Sequence, residues 1–477
     1  MSVAGGSLPE RLARRLDTRG NYPRWVLLVA LTGMFATTFP ITVLTLAIPT
    51  IADDLGTNEA DLAWLITLPT LVSALALPTL GKLGDLYGHR KVFLAGFALS
   101  AVTTVLTATA TTAGALIAWR TVTQTIGAST MPSSLALINT VHQGERRARA
   151  MGWWTMVAAG APVVGLSVGA PIIQAVGWQT LFLLQGALMV VPVAASWLVL
   201  QETPRNGARF DVAGALALAL GIAPLLLAVN QAPDWGFASP GVLAAVGVAA
   251  VALVTFASIE RRVAAPLLPP ELLRSRAATA TMAASFLTNA SYMGGFFLAS
   301  LLMVEQFGYS LLAAVPILSI RPLLFAASSP VGGWFAGRAG NRVAAVAGGL
   351  TLAAGLGGQA LGAAAASLAV VIGMGFLLQG IGFGLVRPAI STALANAVSQ
   401  RDLGIAGATE RLTGQVGVAF GITILATVYG GDVDRFAPAF TVGALFGLLG
   451  MLVALRMHRG PAPQPAPPVT MALSPES

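Results

Sequence analysis

Fourteen long apolar segments, separated by short polar or basic stretches, fill most of this 477-residue sequence. An α-helix of roughly 20 apolar residues crosses the ~30 Å hydrocarbon core of a bilayer. Lipid offers the backbone no hydrogen-bond partners, so each crossing segment must satisfy its own amides as a helix. The sequence therefore predicts an all-α, polytopic membrane protein with 14 transmembrane helices.

The connections between the predicted spans are too short to hold a soluble domain. The spans cover residues 24–50, 61–80, 92–111, 114–138, 151–173, 178–200, 211–230, 240–259, 277–303, 311–336, 342–361, 366–395, 404–428 and 436–456. An alternative with twelve spans treats 211–259 as one buried or interfacial hairpin. The length of both segments in that range, and their near absence of charge, favours two further spans.

Composition excludes several classes of function. Hydrophobic residues make up 56% of the chain and charged residues 10%, whereas soluble domains carry about 25% charged residues. There is no cysteine for a disulfide or thiol chemistry, and no GxxxxGK[ST] loop for an ATP-driven pump. The three histidines lie far apart, which argues against a metal site. We therefore expect no enzyme and no cofactor.

The basic residues fall on one side of the predicted membrane. Of 27 Lys and Arg residues, four lie inside spans, Arg435 lies on the opposite side, and the others share one side. Short loops rich in Lys and Arg mark the cytoplasmic face. The net charge of +8 therefore indicates topology and attraction to anionic lipid rather than nucleic-acid binding. Both termini should be cytoplasmic. The excess of Arg over Lys hints at a GC-rich bacterial genome, and the expected location is the bacterial inner membrane.

The two halves of the chain share a faint repeat. The sequence QTIG at 124–127, followed by Pro132, resembles QGIG at 379–382, followed by Pro388. Repeated halves are typical of secondary transporters, whose binding cavity lies at their interface. The predicted units are a cytoplasmic N-terminal segment (1–23), an N-terminal six-helix bundle (24–200), a linker with two extra transmembrane helices (201–276), a C-terminal six-helix bundle (277–457) and a disordered cytoplasmic tail (458–477).

The stretch GKLGDLYGHRK at 81–91, predicted as a loop between the second and third spans, is the sharpest motif. Its glycines permit tight turns and close helix approach. Asp85 is an isolated acid, which can accept backbone N–H groups at a helix end or pair with a cation. The alternative is an ordinary cytoplasmic turn. The candidate residues of this motif are Gly81, Gly84, Asp85, Gly88, Arg90 and Lys91.

This stretch resembles motif A of the major facilitator superfamily, in the loop where that family carries it. The segment around Arg120 resembles the family's helix-4 arginine motif, and 158–169 resembles the helix-5 motif of its antiporters. Fourteen spans, with two inserted between the halves, resemble the drug–proton antiporter branch. The helix-5 candidates are Gly160, Pro162, Gly165 and Gly169.

The resemblance implies a secondary exporter of amphipathic small molecules that works by alternating access. In that family the motif-A acid latches the two halves together, so Asp85 should meet the start of the helix near Leu403–Gly404. The chain departs from the family at Pro40, where the branch carries a proton-exchanging acid at the end of helix 1. In the second half, Gly337 stands where motif A has its acid.

Charges inside membrane spans are costly and are functional candidates by default. They are Arg120, Arg321, Arg387, Glu410 and Arg411. The hypothesis is that Glu410 exchanges protons and that Arg387, Arg411 or Arg321 is its alternating partner. The alternative is a static ion pair that holds two helices together.

Polar and aromatic residues inside spans are candidates for a substrate cavity, although helix packing explains each one equally well. They are Thr45, Trp64, Gln124, Asn289, Tyr292 and Gln379. The small number of charges in the spans favours amphipathic or zwitterionic substrates. The arginines would permit an anionic group on the substrate. The partners should be a small molecule and membrane lipid, with the monomer as the working unit. The alternatives to an exporter are a lipid or amphiphile flippase, a facilitator without proton coupling, and a membrane sensor.

Overall fold

The computed structural model describes residues 21–62, 64–203, 210–236, 238–263, 266–268, 272 and 274–457. Regular secondary structure in these ranges is helical throughout, as the sequence predicts. Twelve of the described helices are long and apolar enough to cross a membrane. The N-terminal segment before residue 21 and the tail 458–477 lie outside the described residues.

The N-terminal half holds nine helices, which we number in chain order. They are α1 (Tyr22–Thr38), α2 (Pro40–Leu55), α3 (Glu59–Leu62), α4 (Trp64–Tyr87), α5 (His89–Ala108), α6 (Ala113–Ala128), α7 (Thr130–Val141), α8 (Gly144–Val176) and α9 (Trp178–Val199).

Two linker helices and the C-terminal half follow. The linker helices are α10 (Val212–Trp235) and α11 (Pro240–Glu260). The C-terminal half comprises α12 (Arg276–Leu301) with a π-helical turn (Leu302–Gln306), α13 (Leu311–Ala339), α14 (Asn341–Ala364), α15 (Leu368–Val370) with a π-helical segment (Val371–Phe376), α16 (Leu377–Asn396), a 3₁₀ turn (Gln400–Asp402), α17 (Leu403–Tyr429), a 3₁₀ turn (Val433–Arg435) and α18 (Phe436–Ala454).

Two predicted spans are interrupted, so the expectation of one continuous helix in each was wrong. The predicted span 24–50 breaks at Phe39 between α1 and α2, and 114–138 breaks at Ser129 between α6 and α7. Both residues keep right-handed helical dihedrals, with φ −57° and ψ −37° at Phe39 and φ −65° and ψ −25° at Ser129. Pro40 lacks a backbone N–H, which accounts for a break at this point.

The motif at 81–91 is helical rather than a loop. Helix α4 continues through Asp85 to Tyr87, and Gly88 alone separates it from α5. Gly88 has φ +102°, a conformation that glycine adopts without strain. Hydropathy falls where a helix leaves the apolar layer, but its backbone hydrogen bonds continue. The sequence therefore placed the end of this helix too early.

The linker helices α10 and α11 are both among the twelve helices long and apolar enough to span. Helix α10 also touches the C-terminal half, because the Thr423 hydroxyl donates to the Val229 carbonyl at 2.7 Å. Both helices of 211–259 thus have the length and composition of spans, and the assignment of two further spans stays a prediction.

The two halves meet through two equivalent helix pairs. Helix α4 of the N-terminal half packs on α17, and α8 packs on α13. The second pair approaches closely at Gly152, where an added Cβ would lie 2.7 Å from the Ser329 carbonyl oxygen. Small residues of this kind let helices approach closely in membranes, where apolar burial supplies little attraction between them.

The apolar core differs between the two ends of the molecule. We call them the Asp85 end and the Asp54 end, after one residue at each. At the Asp85 end, Ala136 of one half packs with Ala395 and Leu403 of the other. Toward the Asp54 end each half has its own cluster, with Trp178 in one and Phe436 in the other. The halves are thus joined at the Asp85 end.

Substituting Gly152→Ala should destabilise the protein, because the added methyl group meets backbone atoms of α13. Overpacking of this kind costs about 1–3 kcal/mol. Gly357→Ala in α14 is the matched control, since nothing lies within 4 Å of a Cβ there. In detergent, thermal unfolding should show a lower midpoint for Gly152→Ala and an unchanged or higher one for the control. Equal midpoints would contradict the close packing of α8 on α13.

Candidate functional site

The Asp85 carboxylate crosses from one half to the other. Its Oδ1 accepts the Gly404 N–H at 2.9 Å, and its Oδ2 accepts the Ile405 N–H at 2.9 Å. These amides are in the first turn of α17, where N–H groups have no partner within their own helix. The carboxylate is fully buried and lies at the positive end of the α17 dipole. The contact is at the position that the motif predicts.

Other motif residues hold this carboxylate in place. The His89 Nε2 lies 2.9 Å from Asp85 Oδ1. Gly81 lets α17 approach, because an added Cβ would lie 2.7 Å from both the Gly404 oxygen and the Ala408 Cβ. Gly84 likewise makes room for the His89 ring.

Other residues of the motif hydrogen-bond the segments on either side of the two linker helices. The Arg90 N–H donates to Glu202 at 3.0 Å, and its guanidinium donates to the Trp197 carbonyl at 3.0 Å. Lys82 donates to the Pro266 carbonyl at 3.1 Å, whereas Lys91 is exposed. Gly88 and Arg90 thus fix the turn, and Lys82 anchors the linker beside it.

Arg147 of α8 also joins the two halves, and the sequence analysis missed it. Its guanidinium donates to the Asn396 side chain of the C-terminal half at 2.5 Å. The same group donates to the Asn139 carbonyl at 2.7 Å and the His142 carbonyl at 3.0 Å, at the end of α7. Basic residues next to a span count as topology signals in sequence analysis, so nothing distinguished this one.

Burial lowers the pKa of His142, and the charges of Arg147 and Arg146 lower it further. His142 therefore stays neutral near pH 7, and Arg147 is the cation of this contact.

At the equivalent position in the second half, close backbone packing takes the place of a carboxylate contact. Gly337, where motif A would have its acid, faces α8 so closely that a Cβ would lie 3.2 Å from the Glu145 oxygen. The helix-5 glycines act similarly on the other side of α8. Gly165 leaves no room for a side chain beside the Phe39 carbonyl, and a Cβ at Gly169 would lie 2.8 Å from Val43. Gly160 is less tightly packed, and Pro162 lies inside the continuous helix.

A central cavity of about 120 Å³ lies between the halves. Three of the predicted candidates line it, namely Arg120, Gln124 and Arg411. Its other polar lining, which the sequence did not single out, is Thr37, Thr38, Ser73, Thr123, Gln185 and Gln415. Its residues come from the N-terminal half and from α17 of the C-terminal half, so a ligand there would touch both.

The Glu410 carboxylate is bound outside this cavity. It pairs with the Arg387 guanidinium at 2.5 Å and accepts the Ser285 hydroxyl at 2.8 Å. Both partners of the ion pair are buried. Of the three partners considered for Glu410, the structure therefore brings Arg387 to it. Asn289, a predicted cavity residue, lies in the same cluster and donates to the Ser285 carbonyl at 2.7 Å.

Arg321 is in a separate cluster within the C-terminal half. Its guanidinium donates to Gln379 at 2.8 Å and to the Tyr292 carbonyl at 2.6 Å, and lies 3.8 Å from the centre of the Tyr292 ring. The Tyr292 ring in turn stacks on Phe383. Tyr292 and Gln379 therefore bind this arginine and do not line the central cavity.

The remaining candidates lie elsewhere. Trp64 is 53% exposed at the start of α4 and does not line the cavity. The side chain of Thr45 lies outside the described residues. The described residues contain no group of three or more side chains suited to a metal ion.

Comparison with known proteins identifies the relatives of this chain. The family model of the Major Facilitator Superfamily matches residues 30–422. A Methylenomycin A resistance protein of Bacillus subtilis is 27% identical over 92% of this chain and 95% of its own length. The Cephamycin export protein CmcT of Amycolatopsis lactamdurans is 30% identical over 85% of this chain and 84% of its own.

The fold is that of solved transporter structures. The human organic anion transporter MFSD10 (TETRAN) superposes with a TM-score of 0.67, covering 91% of this chain and 99% of that one at 18% identity. Identity this low supports a shared fold and nothing finer.

Replacing Arg147→Gln should open the Asp85 end, because it removes the cation that bridges the halves. Hydrogen bonds to a charged group contribute about 1.5–3 kcal/mol each, so the open population should rise at least about tenfold. The chain has no cysteine, so spin labels attach only to cysteines that are introduced. Labels at Tyr87→Cys and Arg338→Cys would report the distance between the halves by electron paramagnetic resonance. Arg149→Gln, which removes an exposed arginine two residues away, should leave the distances unchanged. Overlapping distance distributions in the labelled parent protein and in its Arg147→Gln and Arg149→Gln variants would contradict a bridging role for Arg147.

Proposed function

The chain belongs to the major facilitator superfamily, and we propose that it is a secondary exporter of amphipathic small molecules that works by alternating access. The main support for this proposal is the cavity that both halves line. The Asp85 contact joins those halves at one end. Relatives named for antibiotic resistance and export support the direction of transport.

We assign 14 spans to the chain, by adding two interrupted spans to the twelve continuous ones. Helices α1 and α2 form the first of these, and α6 and α7 form the second. The helical dihedrals at Phe39 and Ser129 support this assignment, because the chain does not reverse at either break. Two six-span bundles, 24–200 and 277–457, then flank a two-span linker at 201–276.

The Asp85 end is assigned to the cytoplasm of a bacterium, with both termini on that side of the inner membrane. Lys82, Arg90 and Arg147 lie at this end, whereas the acids Asp53 and Asp54 lie at the other, and short basic loops mark the cytoplasmic face. The joined halves then close the cavity toward the cytoplasm. Uptake from the cytoplasm requires Asp85 to leave the α17 N-terminus, so that the halves part there.

The proton gradient is the proposed energy source, with Glu410 as the exchanging group. Pro40 stands where the drug–proton branch carries its acid, so that position supplies no carboxylate. Glu410 is a buried carboxylate in α17, the helix that also meets Asp85. Protonation would remove its charge and weaken the pair with Arg387, and rotation of α17 would then break the Asp85 contact.

Cells that lack their own efflux systems test the proposed function. Expression of the protein should raise resistance to part of a panel of toxic amphipathic compounds, and Asp85→Asn should abolish the gain because the neutral amide binds the helix N-terminus less well. Asp53→Asn, at an exposed acid of the opposite end, should keep the gain. Resistance that is absent with wild type, or equal with both variants, would contradict the proposal.

The Glu410→Gln variant tests the energy source in inverted membrane vesicles that accumulate a fluorescent substrate from the panel. In wild type, collapse of the proton gradient by an ionophore should stop accumulation. The variant cannot exchange a proton at this site. Any substrate flux that remains should therefore be unchanged when the ionophore is added. Glu145→Gln, at an exposed acid, should behave as wild type. If Glu410→Gln keeps full gradient dependence, Glu410 is a static partner of Arg387.

A further inference from the structure

The charges of the central cavity are all positive. Arg120 comes from α6 in one half and Arg411 from α17 in the other, and none of the described Asp and Glu residues lines the cavity. The rest of its polar lining consists of hydroxyl and amide side chains, which bind anions and cations with little preference. The two guanidinium groups therefore dominate the electrostatics of this site.

Among the residues that the structure describes, Arg120 is buried without an ionic partner. It is 4% exposed, and within this part of the chain its one hydrogen bond is a long one of 3.4 Å to the Gln185 side chain, while its Nε has no partner. An arginine does not lose its proton in a protein, and an isolated buried charge is costly. Arg120 thus offers unused donors at the cavity.

Arg411 has no carboxylate in hydrogen-bonding contact among the described residues. It follows Glu410 in sequence, but the Glu410 carboxylate pairs with Arg387. Among the described residues, Arg411 takes part in no ion pair or hydrogen bond. One half therefore contributes a buried cation to the cavity and the other half contributes a second, partly buried one.

We propose that the cavity binds the anionic group of an amphipathic substrate, a carboxylate or a phenolate, between Arg120 and Arg411. Guanidinium groups suit such oxygens because they donate pairs of parallel hydrogen bonds. Leu77, Met131 and Met189 in the same lining supply apolar contact for the remainder of the substrate. An anion held by both halves would also favour the conformation in which the two arginines face each other. The inference rests on the proposed export function and narrows its substrate class.

Three probes of similar size and different charge test this inference. They are 2-naphthoate, its neutral carboxamide and the cation 2-naphthylmethylammonium. Binding to the purified full-length protein can be measured by equilibrium dialysis and naphthalene fluorescence. Charged hydrogen bonds of the usual strength should make naphthoate bind roughly tenfold or more tightly than the carboxamide. The cation should bind most weakly, and added salt should weaken only naphthoate.

Variants test whether the two arginines cause the preference for naphthoate over the carboxamide. Arg411→Gln and Arg120→Gln should each reduce naphthoate affinity to about that of the carboxamide, and Arg411→Lys should keep part of it because the charge remains. Arg456→Gln removes an exposed arginine outside the cavity and controls for net charge. If Arg120→Gln fails to fold, the Arg411 variants decide the question.

Two results would overturn the inference. One is equal binding of naphthoate and the carboxamide by wild type, and the other is a naphthoate preference that survives Arg411→Gln. Loss of the inference would not affect the export proposal, because the resistance panel does not depend on the charge of the substrate. If resistance is absent while the naphthoate preference holds, the cavity binds anions but the export proposal fails.

Discussion

The contact between the Asp85 carboxylate and the first turn of α17 is the interaction on which the arrangement of the two halves depends. A helix start that is buried against another helix has amide groups that water does not reach. One carboxylate from the opposite half accepts two of these N–H groups at 2.9 Å. Separation of the halves leaves both the acid and the amides without partners unless water enters. In the proposed transport cycle, the closed and open arrangements would therefore be two discrete states.

The halves share a faint sequence repeat but are joined by different means at their two helix contacts. At the α4–α17 contact a carboxylate accepts two backbone N–H groups, while at the α8–α13 contact glycines bring the two backbones together. Gly337 stands in place of the acid at the second site, where an added Cβ would lie 3.2 Å from the Glu145 backbone. Arg147 then supplies the polar bridge near that interface. This asymmetry makes the Asp85 contact the one that a change in α17 can break directly.

The sequence predicted the helical class, the position of most spans and the place where Asp85 meets α17. These follow from hydropathy and from a motif whose chemistry is local. It missed the breaks at Phe39 and Ser129, because both residues are apolar or small and interrupt no hydropathy pattern. It also extended the cavity to Tyr292 and Gln379, which instead bind Arg321. Depth in a span can be counted along a sequence, but the direction of a side chain depends on how the helices pack.

The central claim is that the cavity opens to one side of the membrane at a time and that Asp85 controls the switch. A single cysteine at the cavity residue Met131 tests it directly, since the chain has no other cysteine. A membrane-impermeant maleimide should label Met131→Cys in the otherwise wild-type protein only from the face opposite the Asp85 end. Adding Asp85→Asn should shift labelling toward the Asp85 face. Labelling with the same sidedness in both proteins would contradict the account.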